Sequence, residues 1–226
     1  MPARERPVIF NGEMVRAILD GRKTQTRRVV IRVNGLGKVS DFGRSAMPGE
    51  TRWEMRDSHA MWNDLAHRSL LERCPYGIPG DLLWVKEGYQ IIADDQDDRV
   101  QFRYAASPDS VYTGYLSDHD LGLWRKRKYP YRNSPGGFMY RSLARILLEV
   151  TDIRVERVQD ISEDDAVNEG IRVMIEDHIW YCADGEHTTR EPIYAFETLW
   201  DSINADIGYG WDVNPWVWVV EFRSLL

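Results

Sequence analysis

The chemistry-bearing residues of this chain crowd into one octet, Gly21-Arg22-Lys23-Thr24-Gln25-Thr26-Arg27-Arg28. Lys23 and Thr26 stand three apart in it. A threonine hydroxyl is a weak nucleophile until a base takes its proton. A lysine amine can be that base when burial or cationic neighbours lower its pKa, and Arg22, Arg27 and Arg28 are such neighbours. Arg27 and Arg28 can also hold a phosphate or a base edge through forked hydrogen bonds. Spacing alone leaves two plainer readings beside these. One is a solvated basic loop with capping hydroxyls; the other is surface pairing with the chain's excess carboxylates.

Other groups carry weaker signals. Ser162-Glu163-Asp164-Asp165-Ala166-Val167-Asn168-Glu169-Gly170 reads as a capped acidic helix, with Ser162 as N-cap and Gly170 as its end. Acidic residues in its first turn suit the helix dipole, whereas Glu169 sits at the end where that dipole disfavours negative charge. A carboxylate there can orient a lysine amine and assist its proton transfers. The run Arg125, Lys126, Arg127, Lys128, Tyr129, Pro130, Tyr131, Arg132 interleaves five bases with two tyrosines. That composition suits a phosphate backbone with stacked bases, and equally a surface loop. Lys86 and Glu87 fall on a strand, as lining of a barrel mouth or as an ordinary pair. Cys74, His178, Cys182 and His187 match no closed zinc spacing, so no metal and no cofactor is expected.

Composition bounds the function. The chain has 226 residues and a formal charge of -7, with 9 Trp and 11 Tyr. The negative charge argues against holding long nucleic acid by charge alone, but leaves room for a local pocket for a nucleoside or a short strand. No apolar run approaches the ~20 residues that span a bilayer, and the first ten residues lack the apolar core of a secretory signal. The expected compartment is the cytoplasm, with reduced cysteines and no membrane partner.

The elements that must position these groups follow from periodicity. Residues 7–10 read as a strand, 12–20 as a helix that Gly21 stops, and 29–33 as a strand. Residues 61–74 suggest a short helix and 79–81 a tight turn. Residues 82–92 read as one strong strand, paired as a hairpin with 99–106. Residues 107–137 look loop-rich. Residues 142–158 read as a long strand or strand pair, 191–207 as a helix, and 214–225 as a final strand with Trp216, Trp218 and Val220 on one face. Residues 34–78 and 171–189 show little pattern. Without βαβ alternation, the expectation is an α+β domain built on a small curved or closed antiparallel sheet with flanking helices.

Four stretches together resemble the ASCH domain family of the PUA-like superfamily. They are residues 14–30, 74–90, 148–171 and 214–225, in the family's order, and they hold 70 of the 226 residues. Gly21, Lys23, Thr26 and Arg28 match its Gly-x-Lys-x-x-Thr-x-Arg signature. Pro79-Gly80-Asp81 before an apolar strand and the closing Glu221-Phe222 add to the likeness. The resemblance implies one domain over 1–226, a small, mostly antiparallel β-barrel with insertions at about 31–78, 91–137 and 171–192. Longer members of this kind occur in phages and prophages.

The resemblance also implies an activity. One bacterial branch hydrolyses the amide of N(4)-acetylcytidine with a Lys, a Thr three residues later and a Glu from a following helix. Carried over, these match Lys23, Thr26 and Glu169 as the catalytic set. Arg22, Arg27, Arg28, Lys86 and Glu87 become candidate substrate contacts, and the substrate a small nucleoside or nucleotide. The competing expectation is a non-catalytic module for RNA or single-stranded nucleic acid, with Arg125, Lys126, Arg127, Lys128 and Arg132 as further contacts. A ribonuclease, the third reading, needs a cluster of carboxylates or histidines that the sequence does not display.

Overall fold

The computed structural model describes residues 3–45, 51–94, 99–126, 133–174, 179–181 and 187–225. The chain opens with β1 (Glu5–Ile9), α1 (Gly12–Leu19), β2 (Gln25–Val29), β3 (Arg32–Val33) and β4 (Gly37–Arg44). β5 (Arg52–Asp57), β6 (Trp62–Ala66), α2 (His67–Leu71), β7 (Leu82–Lys86) and β8 (Tyr89–Asp94) follow. Then come β9 (Arg99–Tyr104), β10 (Ser107–Tyr115), α3 (Asp118–Trp124) and β11 (Leu147–Arg157). α4 (Glu163–Asn168), β12 (Val173–Met174), β13 (Ile179–Tyr181), β14 (Thr188–Thr189), α5 (Pro192–Asn204) and β15 (Trp216–Ser224) complete the order.

The central sheet runs β1-β7-β11-β15-β2, antiparallel except for the β1–β7 pair. It curls into a half-barrel. Its concave face holds Val8, Phe10, Leu148, Val150, Trp218 and Phe222, filled by Val15 and Ile18 of α1 and by Trp53 and Leu70. Its convex face presents Val217 and Val219 to Phe196 and Trp200 of α5 and to Ala166 of α4. β11 shows how sequence sets this. Leu148 and Val150 are buried, then Ile153 and Val155, so the period-2 pattern breaks between them. A register shift between Val150 and Asp152 takes up the extra residue and returns all four side chains to one core.

Four expectations need correction. Among the described residues the central sheet curls into a half-barrel and does not close. β1 and β2 are the two edges of the central sheet and share no ladder among the described residues. Residues 82–92 are not one strand. β7 joins the central sheet and β8 joins β9 and β10, with buried Glu87 at the break, paired to Arg145. Residues 107–137 are not mainly loop. β10 pairs with β9 at Ser107 and again over 112–115, across a register shift, and α3 follows it, capped by Ser117. β10 exposes most of its residues, so its pattern carries little hydrophobic signal, and cross-strand pairing holds it instead. The weakly patterned 34–78 likewise yields β4, β5 and β6, which form a sheet with β3, and 171–189 the β12-β13-β14 sheet; of the helix expected over 61–74, only His67–Leu71 is helical and Trp62–Ala66 is β6. No described helix is long and apolar enough to cross a membrane.

Cys74 lies in the concave core, and burial pushes its thiol up to about 12. Only a thiolate reacts readily with a disulfide reagent. In a Cys182→Ser chain, Ellman's reagent at pH 8 should therefore label no thiol in the native protein and one in denaturant. Rapid native labelling would contradict the packing of Cys74.

Candidate functional site

The signature octet is shaped by the end of α1. Gly21 adopts φ +73°, the left-handed turn that closes a helix. The amides of Arg22 and Lys23 then both donate to the Ala17 carbonyl, at 2.8 and 3.0 Å. The chain turns into β2, which pairs with β15 so that Thr26 faces Val220, Arg27 faces Val219 and Arg28 faces Trp218. Directly opposed residues share a face of the sheet. Thr26 and Arg28 therefore belong to the concave side, and Arg27 to the side covered by α5.

The C-terminal end of α4 docks on this turn. Thr24 N–H donates to Asn168 O at 2.9 Å, and Gln25 Nε2 to Asp165 O at 2.9 Å. Lys23 Nζ donates to the Glu169 carbonyl at 2.9 Å and to its Oε2 at 2.8 Å. Carbonyls that a helix end leaves open are thus satisfied by the signature residues. The lysine ammonium at this end also offsets the unfavourable place of the Glu169 charge. Gly170 permits the approach. It has φ +85°, and a Cβ there would lie 2.7 Å from Lys23 Cβ and 2.8 Å from Ala17 Cβ. Arg22 clamps the outer side, donating to Gly170 O at 2.9 Å and to Asp20 at 3.0 Å.

The Lys23 side chain is 0% exposed. Burial holds its pKa below the ordinary 10.5, with Glu169 pulling the other way and Arg28 and Arg27 adding repulsion. Arg27 is also sealed, donating to Glu169 Oε1 at 3.2 Å, Glu156 at 2.5 Å and Asp165 at 2.8 Å. Arg154 extends the network to Asp165, Glu156 and Glu221. Burial would raise the Asp165 carboxyl, but Arg27 and Arg154 outweigh it and hold it below the usual range. Together, Lys23, Arg27, Arg28 and Arg154 balance Glu156, Asp165, Glu169 and Glu221, so the cluster is neutral.

Beside the cluster opens a cavity of about 470 Å³. Thr26, Arg27, Arg28 and Glu169 line it, facing an apolar wall from α5. Thr26 is 2% exposed and makes no side-chain hydrogen bond among the described residues, so its hydroxyl is not yet engaged by Lys23. Arg28 NH2 reaches across the seam of the sheet to the Ile9 carbonyl of β1 at 2.6 Å, over the Phe10 ring.

The fold therefore gathers Lys23, Thr26, Arg27, Arg28 and Glu169. Arg22, Lys86 and Glu87 do not line this cavity, and Lys23 lies behind Glu169 rather than in its lining. Lys86 donates to Gly137 O at 2.5 Å, and Glu87 is 1% exposed and holds Arg145 in a two-pronged pair. Arg125 and Lys126 sit in the turn after α3; Arg127, Lys128 and Arg132, like His178 and Cys182, lie outside the described residues. Sequence reasoning missed Gln25, Arg154 and Glu156 as partners, and the wall from α5. The repeat Leu199, Ile203, Ile207 carried the signal for that wall. A second cavity of about 530 Å³, beside Gly88, Tyr104 and Pro135, holds no residue of the cluster. Among the described residues, no group of three His, Cys, Asp or Glu is placed to hold a metal ion.

Comparison of the chain with protein-family models, with curated proteins and with solved structures returns no match.

The two left-handed glycines separate strain from packing. Nothing lies within 4 Å of a Cβ at Gly21. Gly21→Ala should cost about 1 kcal/mol, from conformation alone. Gly170→Ala adds two backbone-anchored clashes and should cost about 2–4 kcal/mol. Denaturant midpoints of the two variants measure this; equal losses would mean that the Gly170 approach is not tight.

Proposed function

We propose that the chain is an ASCH-type protein of the PUA-like superfamily, and that it hydrolyses the amide of an N(4)-acylated cytosine nucleoside or nucleotide. One observation carries the reading: Lys23 and Glu169, 146 positions apart, meet at 2.8 Å, and Glu169 lines one cavity together with Thr26. A buried amine with a lowered pKa is the form of lysine that can act as a base.

In the proposed reaction, neutral Lys23 takes the Thr26 hydroxyl proton as Oγ1 attacks the acyl carbon. Lys23 then returns that proton to the exocyclic nitrogen as the C–N bond breaks. The cytosine amine leaves, and the acyl group remains as an ester on Thr26. Water, activated by the same amine, hydrolyses the ester and frees the carboxylic acid. Glu169 holds Lys23 in place throughout. Lys23 must swing from the Glu169 carbonyl towards Thr26, a bond that commonly tightens only with substrate. All but the Nε of Arg27 is engaged with carboxylates, so Arg28, or a backbone N–H of the turn, is the better donor to the oxyanion.

A second reading draws on the unengaged Thr26 hydroxyl. There Lys23 is structural, and the chain binds RNA or single-stranded nucleic acid without chemistry. With EDTA present, the wild type should release cytidine from N(4)-acetylcytidine, and Lys23→Ala and Thr26→Val should each lose at least about 100-fold. No release by the wild type, with oligonucleotide binding that falls steeply as salt rises, would favour the second reading.

The pH profile tests the base. Only neutral Lys23 accepts a proton, so kcat/KM should rise with pH along a limb centred below 10.5. The Glu169 charge favours the protonated amine, so Glu169→Gln should move that limb to lower pH. A limb that stays in place in Glu169→Gln would remove Lys23 from the role. Stability has a matching sign. Between the folded pKa and 10.5 the unfolded chain holds a proton that the folded chain has lost, so this group favours folding as pH rises through that window.

A further inference from the structure

The cavity has two unlike walls. The ionic wall sums to no formal charge, and all of it but Arg28, which the Ile9 carbonyl holds, is mutually paired, so it offers a phosphate little net attraction. The opposite wall is largely apolar, with Asn204 and Tyr209 as its polar members. Leu199, Ile203 and Ile207 recur every four residues along α5 and the short helical turn 205–207, and so share one face. That stripe continues the core-facing line of the same helix: Ala195 lies four residues before Leu199, Leu199 packs partly against the core, and Phe196 and Trp200 also line the cavity. Ile203 is 41% and Ile207 65% exposed, and across the cavity Ile9 is 52% and Ile31 48% exposed. Large apolar side chains grouped around one mouth mark a surface that a ligand covers. At about 470 Å³ the cavity also has the size of sites that enclose drug-sized ligands. The single methyl of an acetyl group would leave most of this wall in water.

We propose that the site selects a neutral N-acyl nucleoside whose acyl group is bulky and apolar, aromatic or branched, packed against Leu199, Ile203 and Ile207. The polar base points to Thr26 and Arg28, and a 5′-phosphate adds nothing. This rests on the amidohydrolase reading for the orientation of the ligand, but its test reads binding rather than turnover. α5 is then the specificity element, and its three apolar residues decide which acyl group fits.

The experiment is calorimetric titration of the Thr26→Val chain, which retains the cavity without the nucleophile. The probes are N(4)-acetylcytidine, N(4)-benzoylcytidine and N(4)-benzoylcytidine 5′-monophosphate. The benzoyl compound should bind at least about 10-fold more tightly than the acetyl compound, the scale of a few well-buried carbons. The monophosphate should bind no better, with little response to salt. Ile203→Asp and, separately, Ile207→Asp should erase the benzoyl preference without moving the thermal midpoint by more than a degree or so, because both side chains are exposed. Equal affinities, a tighter monophosphate, a preference that survives both aspartates, or no binding of any probe would overturn the proposal.

Turnover by the wild type separates the two readings. A benzoyl preference without product release sinks the hydrolase and leaves the pocket assignment standing. Hydrolysis of both amides with equal affinities does the reverse.

Discussion

The structure turns on a lysine and a glutamate that meet almost wholly out of solvent. Removing Lys23 and Glu169 from solvent costs several kcal/mol per ion, and their attraction offsets this only if every remaining donor and acceptor is used. Here most are. Lys23 takes a carboxylate oxygen and a helix-end carbonyl, Glu169 gives its other oxygen to Arg27, and Arg27 finds two more carboxylates. The same contacts fix the end of α4 against the end of α1. A hydrophobic pair would join two helix ends at less cost, so an ion pair kept at this point is consistent with a chemical task.

From that junction the rest of the site follows. The turn that presents Lys23 also launches β2, and β2 must lie at the edge of the central sheet for its residues to reach the cavity. An open sheet is therefore part of the site rather than a failure to close. Arg28 spans the seam through a single hydrogen bond to β1, leaving the gap bridged but not sealed by a ladder. Residues on both faces of β2, Thr26 and Arg27, line one cavity because that cavity wraps around the strand's free edge.

The parts outside the central sheet have a consistent relation to this centre. The β8-β9-β10 sheet carries its own core and is tied to the central sheet by the buried Glu87–Arg145 pair, with Arg145 lying 3.9 Å from the Tyr104 ring centroid. The β3-β4-β5-β6 sheet contributes Trp53 and Met55 to the concave core. α5 covers the convex face, and its Phe196, Leu199 and Trp200 also wall the cavity. Each of these segments stabilises the sheet that holds β2 rather than adding a charged group to the cluster.

Much of this was legible in the chain. The helix that Gly21 stops, the Ser162 cap, the long strand around Val150 and the face shared by Trp216, Trp218 and Val220 all follow from local periodicity and capping. Lys23 and Thr26 were marked by residue type and spacing, and Glu169 by being the wrong charge for its end of a helix. Those are local properties, set by backbone geometry and the helix dipole. Tertiary structure alone decided the rest. That Arg27 is sealed among three carboxylates while Arg28 faces the cavity depends on which side of β2 each occupies. That in turn depends on pairing with a strand almost two hundred residues away. The open seam, the neutral balance of the cluster and the apolar wall of α5 arise the same way, from contacts between distant segments whose partners no local pattern encodes.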